Sequence, residues 1–331
     1  MATASNITGN FSTPRHVATG VTSRVRVLAV FLLLALALSP SAAAARQEPT
    51  SADPTSTPAA APAPPALPPT TDPVEIIRRV AAHEEENEKK ERNYTYVKHE
   101  IEKKLGDKGD VKSTETRTYD VMVIYGEQVE RQVAKDDKPL PPKDDAKEEQ
   151  KINKLIEKYK NETEDQRRKR QEKAAKEKQK TREFVKDVAD AFNFTVLPPE
   201  TLDGRTLYPM QAEPKPDFKP QTREGKYLTK FRGKVWIDPI EYQWVKLDLE
   251  LLDTISFGWF VARLHKGMQV HIEQTRVNEE VWLPKLVRMN LDARIALFKN
   301  LNYDITQTYR DYKKFGSQTK ITTVGEVVTN P

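Results

Sequence analysis

Cysteine is absent from the 331 residues. Its absence excludes disulfides, thiolate metal sites and a cysteine nucleophile. It also closes the lipobox route to a membrane anchor, which needs a cysteine at the processed terminus. Histidine is scarce: His83, His99, His265 and His271 have no companions at metal-ligand spacing, and His16 lies in a polar stretch near the start. No nucleophile elbow, phosphate loop or dinucleotide fingerprint occurs. Asp238 and Glu241 could pose as paired carboxylates, but they flank Pro239, where turn chemistry accounts for both. The expectation is a protein that is not an enzyme and carries no cofactor or metal. Long apolar runs are missing too. The one notable run, Val27 to Leu38, is too short to span a bilayer comfortably as a mature helix.

That run instead has the layout of an export signal. Arg24 and Arg26 precede it, Ser39 and Pro40 break it, and Ala43, Ala44 and Ala45 offer small residues for cleavage. Residues 1–45 are therefore expected to be a signal with an N-terminal extension, cleaved after Ala45 or one residue earlier, which delivers the chain to the periplasm. An uncleaved helix that anchors the chain is the alternative. Residues 46–72 are rich in Pro and Ala and read as an extended, disordered linker. One domain is expected over 73–331, interrupted by a charged helical insertion at 144–192.

The domain's signature is alternation. Val245, Leu247, Leu249 and Leu251 alternate with Lys246, Asp248 and Glu250. Met268, Val270 and Ile272 repeat the pattern, as do Val287, Met289, Leu291 and Ala293. A two-residue period with one polar side is the mark of an antiparallel sheet that buries one face. Phe257, Trp259 and Phe260 stand between these strands and add to the apolar side. Shorter strand signals run from Tyr94 to Val133, with turns at Gly106 to Gly109 and at Gly126.

Helices flank the sheet. Asp72 caps a first helix with Pro73 at its first position and Glu75 at capping-box spacing; Val74, Ile77, Val80 and Ala81 form its apolar stripe and a candidate lid. No Gly or Pro occurs between Pro142 and Pro198. Within that stretch Ile152, Leu155, Ile156 and Tyr159 make one apolar stripe; Phe184, Val185, Val188, Ala189 and Phe192 make another. The middle is strongly basic, so a break near Asn161 to Asp165 and an undocked central portion are expected. Arg167, Arg168, Lys169 and Arg170 form its densest cluster, a candidate contact for lipid headgroups or an acidic protein partner. Nucleic acid is not expected, because the stretch lacks aromatic residues to stack bases.

Three phrases carry a family resemblance: Gly233-Lys-Val-Trp236-Ile-Asp238, Gly267-Met-Gln-Val-His-Ile272 and Val281-Trp-Leu-Pro284. Over roughly residues 74–135 and 194–315 the chain resembles the LolA-like lipoprotein-carrier superfamily of bacterial envelopes, which sorts outer-membrane lipoproteins. The resemblance implies an α+β fold, an open antiparallel half-barrel with helices over its concave face, and an apolar cavity for lipid or lipoprotein acyl chains. It would be lined by Val245, Leu247, Leu249, Leu251, Phe257, Trp259, Phe260, Met268, Val270, Ile272, Val287, Met289 and Leu291. The alternation itself is satisfied equally by a filled core. The functional expectation is a soluble periplasmic carrier; the alternative is an envelope stress-sensing or regulatory module of the same fold, acting through its basic helix.

Overall fold

The structure, a computed structural model, describes residues 72–257, 262–295 and 299–315. The export segment, residues 46–71 of the linker, Trp259 and Phe260 lie outside the described residues, as does the side chain of Phe257. Among the described residues no helix is long and apolar enough to cross a membrane.

Helix α1 (Pro73–Glu91) starts where Asp72 accepts a hydrogen bond from the Val74 amide at 3.0 Å, with Pro73 at the first position. Glu75 does not complete a capping box; it pairs with Arg79 one turn on, at 2.9 Å. A meander follows, β1 (Tyr94–Leu105), β2 (Val111–Ile124), β3 (Glu127–Lys135) and the two-residue β4 (Lys138–Pro139). Two helices come next. α2 (Pro142–Lys160) ends at the expected break, and α3 (Glu164–Ala191) begins with a capping box between Thr163 and Gln166. The rest is strand: β5 (Phe192–Val196), β6 (Glu200–Leu202), β7 (Arg205–Pro214), β8 (Phe231–Asp238), β9 (Gln243–Leu251), β10 (Ile255–Phe257), β11 (Ala262–Leu264), β12 (Gln269–Val277), β13 (Val281–Ile295) and β14 (Lys299–Lys314). A 3-10 turn at Gly225–Lys230 precedes β8.

All pairings are antiparallel, in the order β4-β3-β2-β1-β14-β13-β12-β9-β8-β7-β5. The sheet stays open, with β4 and β5 at opposite edges. This is the α+β open half-barrel expected from the sequence. Its tight turns follow from backbone chemistry: Tyr125–Gly126 and Asp136–Asp137 take positive φ at both positions, as the twist of a two-residue hairpin requires, and Asn278–Glu279 do so within the three-residue connection of β12 to β13.

The main core lies on one face, here the inner face. Leu251, Met268, Val270, Ile272, Met289, Leu291 and Ile305 are buried there, and Val80 of α1 packs on them. α2 takes the other side of the sheet, where Ile152, Leu155 and Tyr159 bury Ile124 and Val129. α3 is tied at both ends. Near its start Arg170 reaches Glu162 (2.9 Å), Glu127 at the head of β3 (3.8 Å) and the Tyr159 ring. Near its end Phe184 and Ala191 join Phe192 and Leu228 in a separate core, and Arg182 pairs with Glu85 of α1. The insertion is thus built into the fold at both ends, and only its middle is undocked.

A further tie is a buried carboxylate. Asp187 is fully buried. Its carboxylate accepts the Gln221 amide at 2.9 Å, the Thr222 amide at 2.8 Å and the Thr222 hydroxyl. Gly225 makes room for it, since a Cβ there would lie 2.2 Å from the carboxylate oxygen.

Candidate functional site: the inner face of the sheet

Cross-strand partners share a face, so register shows what the inner face presents. One row runs Met210–Val235–Leu247–Ile272–Val287 across β7, β8, β9, β12 and β13. It continues as Gln307–Glu100–Arg117–Lys135 across β14, β1, β2 and β3. The next row repeats the change: Leu249–Val270–Met289–Ile305, then Glu102–Glu115. The inner face is therefore apolar over one half and charged over the other, with the boundary at β14 and β1.

The apolar half holds most of the residues expected from the sequence. Leu251, Met268, Val270, Ile272, Met289 and Leu291 are buried, and Leu247, Leu249 and Val287 are half-buried against them. Val245 is a correction. The β8–β9 register slips between Trp236 and Ile237, leaving Val245 as the extra residue of a bulge. It packs with Leu207, Trp236 and Trp282, apart from Leu247, Leu249 and Leu251. Trp244 joins the inner cluster in its place. Trp244 is only 5% exposed, and its Nε1 has no hydrogen-bond partner among the described residues.

The lid helix also differs in detail. Ile76, buried against Met210, Ile237 and Tyr242, leads the packed stripe, with Ile77 and Val80 beside it. Val74 and Ala81 are only half-buried and join none of the clusters. The stripe continues in polar residues. Asn87 is buried and brackets Trp282, donating to its carbonyl at 2.8 Å and accepting its amide at 2.7 Å.

The charged half went unseen in the sequence. Arg117 sits among Glu100 (3.2 Å), Glu102 (3.7 Å) and Glu115. Gln307 donates to Glu100 at 2.7 Å and accepts from the Tyr309 hydroxyl at 2.8 Å. Lys98, buried, pairs with Glu130 at 2.7 Å and lies 4.3 Å from the Tyr119 ring centre. Burial drives the Tyr119 phenol well above its ordinary range, keeping it a neutral hydroxyl at physiological pH.

Burial likewise raises the Glu102 pKa; Arg117 opposes the shift, and Glu100 and Glu115 add to it. A carboxyl whose folded pKa exceeds its unfolded value costs the native state once it ionises. That cost is absent below the unfolded pKa, grows between the two values and is complete above the folded one. Glu102→Gln is therefore expected to melt higher than the parent at pH 7 and to lose that advantage as the pH falls below the carboxylate range. Thermal unfolding of both proteins across pH checks this. A lower melting point for the variant at pH 7 would show that the Arg117 contact outweighs the cost of burial.

Two clefts, of about 450 and 440 Å³, lie elsewhere. The first follows the exposed face of α2, along Ala146, Gln150, Asn153 and Glu157. The second lies between the outer rows Lys234–Asp248–His271 and Arg232–Glu250–Gln269. There His271 meets Asp248 through Nδ1 and Glu273 through Nε2 at 3.0 Å. Burial works to raise the Glu273 pKa, but His271 and Lys285 more than offset it and hold it below its ordinary value. No group of three metal-ligating side chains is found among the described residues. In the basic cluster Arg170 turns inward, as described, while Arg167, Arg168 and Lys169 stay exposed.

No family model matches the chain, and no curated protein matches it. Among solved structures it is similar to a domain from Vibrio parahaemolyticus named for outer membrane lipoprotein sorting, at 10% identity over 74% of this chain and 95% of that one, with a TM-score of 0.33. A LolA superfamily protein from Nitrosomonas europaea matches at 9% identity over 75% and 96%, with a TM-score of 0.25. The MucA/MucB complex of Pseudomonas aeruginosa matches at 8% identity over 75% of this chain and 100% of that chain, with a TM-score of 0.20. Scores this low leave function to be argued from this chain's own inner face.

Proposed function

We propose that the inner face binds amphiphiles, and that the protein is a periplasmic carrier for lipid or lipoprotein acyl chains. The observation that carries this reading is the cross-strand row that changes from Leu247, Ile272 and Val287 to Gln307, Glu100 and Arg117. A structural core has no need of such a boundary; a molecule with an apolar tail and a polar end does. The tail would lie along half-buried Leu247, Leu249 and Val287, and the polar end would reach the charged half. Trp244 adds an unused donor within the apolar cluster, suited to an ester or amide carbonyl. Each acyl methylene buried contributes about 0.8 kcal/mol, so a long chain can be held with few polar contacts.

The test is to fill the face. Leu249→Trp, which enlarges a half-buried position, is expected to cut the lipid that co-purifies with the parent at little cost in stability. Leu291→Trp enlarges a buried position and is expected to cost roughly 1–3 kcal/mol by overpacking. Native mass spectrometry and thermal melting on each variant read both effects. A parent that carries no lipid, with Leu249→Trp as destabilised as Leu291→Trp, would end the carrier reading in favour of a filled core.

A further inference from the structure

The middle of α3 has a second pattern, independent of the inner face. Lys169, Lys173, Lys176 and Lys180 recur at steps of four, three and four, which sets them in one stripe along the helix. All four are exposed. Lys169 pairs with Asp165 at 2.8 Å and Lys180 with Glu177 at 3.0 Å, both within the helix. Lys173 and Lys176 make no ion pair or hydrogen bond among the described residues. The ties through Arg170, Arg182 and Phe184 hold the helix at its two ends; between them the stripe is solvent-exposed, and the same helix face turns inward only beyond Lys180, at Phe184, Asp187 and Ala191.

The chemistry of the stripe selects its partner. From Glu164 to Glu183 there is no aromatic residue, and the only apolar side chains are Ala174 and Ala175. A protein interface is dominated by aromatic or arginine anchors seated in desolvated pockets, and this stripe offers neither an anchor nor a pocket. Single-stranded nucleic acid would want stacking platforms, also missing. An anionic bilayer asks for neither: its mobile headgroups rearrange around a row of flexible cations. We propose that the lysine stripe of α3 docks the protein on an anionic lipid surface. This does not depend on the carrier reading, since no inner-face residue takes part.

The experiment uses the full chain with vesicles of phosphatidylglycerol and phosphatidylcholine, and with vesicles of phosphatidylcholine alone, read by co-sedimentation at low salt. Any binding of the apolar run Val27 to Leu38 to both vesicles cancels in the anionic-minus-neutral difference, which is the quantity that counts. Lys169→Gln, Lys173→Gln, Lys176→Gln and Lys180→Gln are combined in one variant. A matched control carries Lys103→Gln, Lys104→Gln, Lys108→Gln and Lys138→Gln, also exposed. Equal melting temperatures establish that both fold. A lysine brought to an anionic surface strengthens binding about five-fold, and two of the four are already partnered. The stripe variant is therefore expected to lose about a hundredfold in anionic-vesicle partitioning, and the control only a few-fold. Binding that survives in the stripe variant, equal losses in both variants, or no preference for anionic vesicles would overturn the proposal. So would binding to polyglutamate without binding to vesicles, which would point to an acidic protein. A protein that fails this test while still carrying lipid leaves the carrier reading intact.

Discussion

Excising residues 144–190 and joining the ends with a short Gly/Ser linker is expected to abolish cooperative unfolding. The basic middle of the segment, with no large apolar side chain to bury, taken alone suggests a dispensable protrusion. The structure reverses this. The excision removes Ile152, Leu155 and Tyr159 from one core cluster and Phe184 from another, and takes the buried Asp187 with them. Each large apolar side chain stabilises by about 1.5–3 kcal/mol when fully buried. Four such losses, together with newly exposed Ile124, Val129 and Leu228, rival the ~5–15 kcal/mol that holds a whole domain together. Chemical denaturation followed by circular dichroism checks this, and a sharp transition in the deletion would show that the helices only decorate the sheet.

Asp187→Ala is expected to be among the most damaging single changes in the chain, costing about 3–5 kcal/mol. The alanine leaves the amides of Gln221 and Thr222 without an acceptor, and a buried donor left unsatisfied costs about 1–3 kcal/mol. It also opens space beside Gly225, where the carboxylate now lies. Asp187→Asn keeps one acceptor oxygen but sets its NH2 against the other backbone amide donor, so it should recover only part of that loss. Equilibrium unfolding of the two variants measures the difference. Equal destabilisation would place the effect in packing, outside the hydrogen bonds.

The alternation of β9, β12 and β13 could be read directly because a two-residue period survives any pairing partner. The bulge at Val245 could not, since valine is equally at home on either side and no turn residue marks the slip. The α2 stripe and the break before Thr163 were legible for similar local reasons. The charged half of the inner face was not. Lys98, Glu100 and Glu102 look like a solvated strand edge until Gln307, more than two hundred residues away in the chain, is found bonded to Glu100. Asn87 and Asp187 were hidden in the same way: on a helix rich in charge, nothing local separates the polar residue that is buried from its exposed neighbours. The hairpin at Asn278–Glu279 lacks the glycine that betrays Gly126, so its left-handed backbone left no mark in composition.

One consequence of the α3 anchorage is mechanical. Strands β4 and β5 are successive in the chain but sit at opposite margins of the sheet. Nine strand spacings of about 4.8 Å separate β3 from β5, about 43 Å along the sheet's surface. The helix from Arg170 to Ala191 covers the same gap in about 33 Å, at 1.5 Å per residue. A chord shorter than its arc forces the arc to bend. α3 therefore acts as a strut of fixed length, and the number of residues between its two anchors sets how far the trough gapes. Adding one turn would spread the margins by about 5.4 Å, and removing one would draw them together, with no change to any residue of the trough itself.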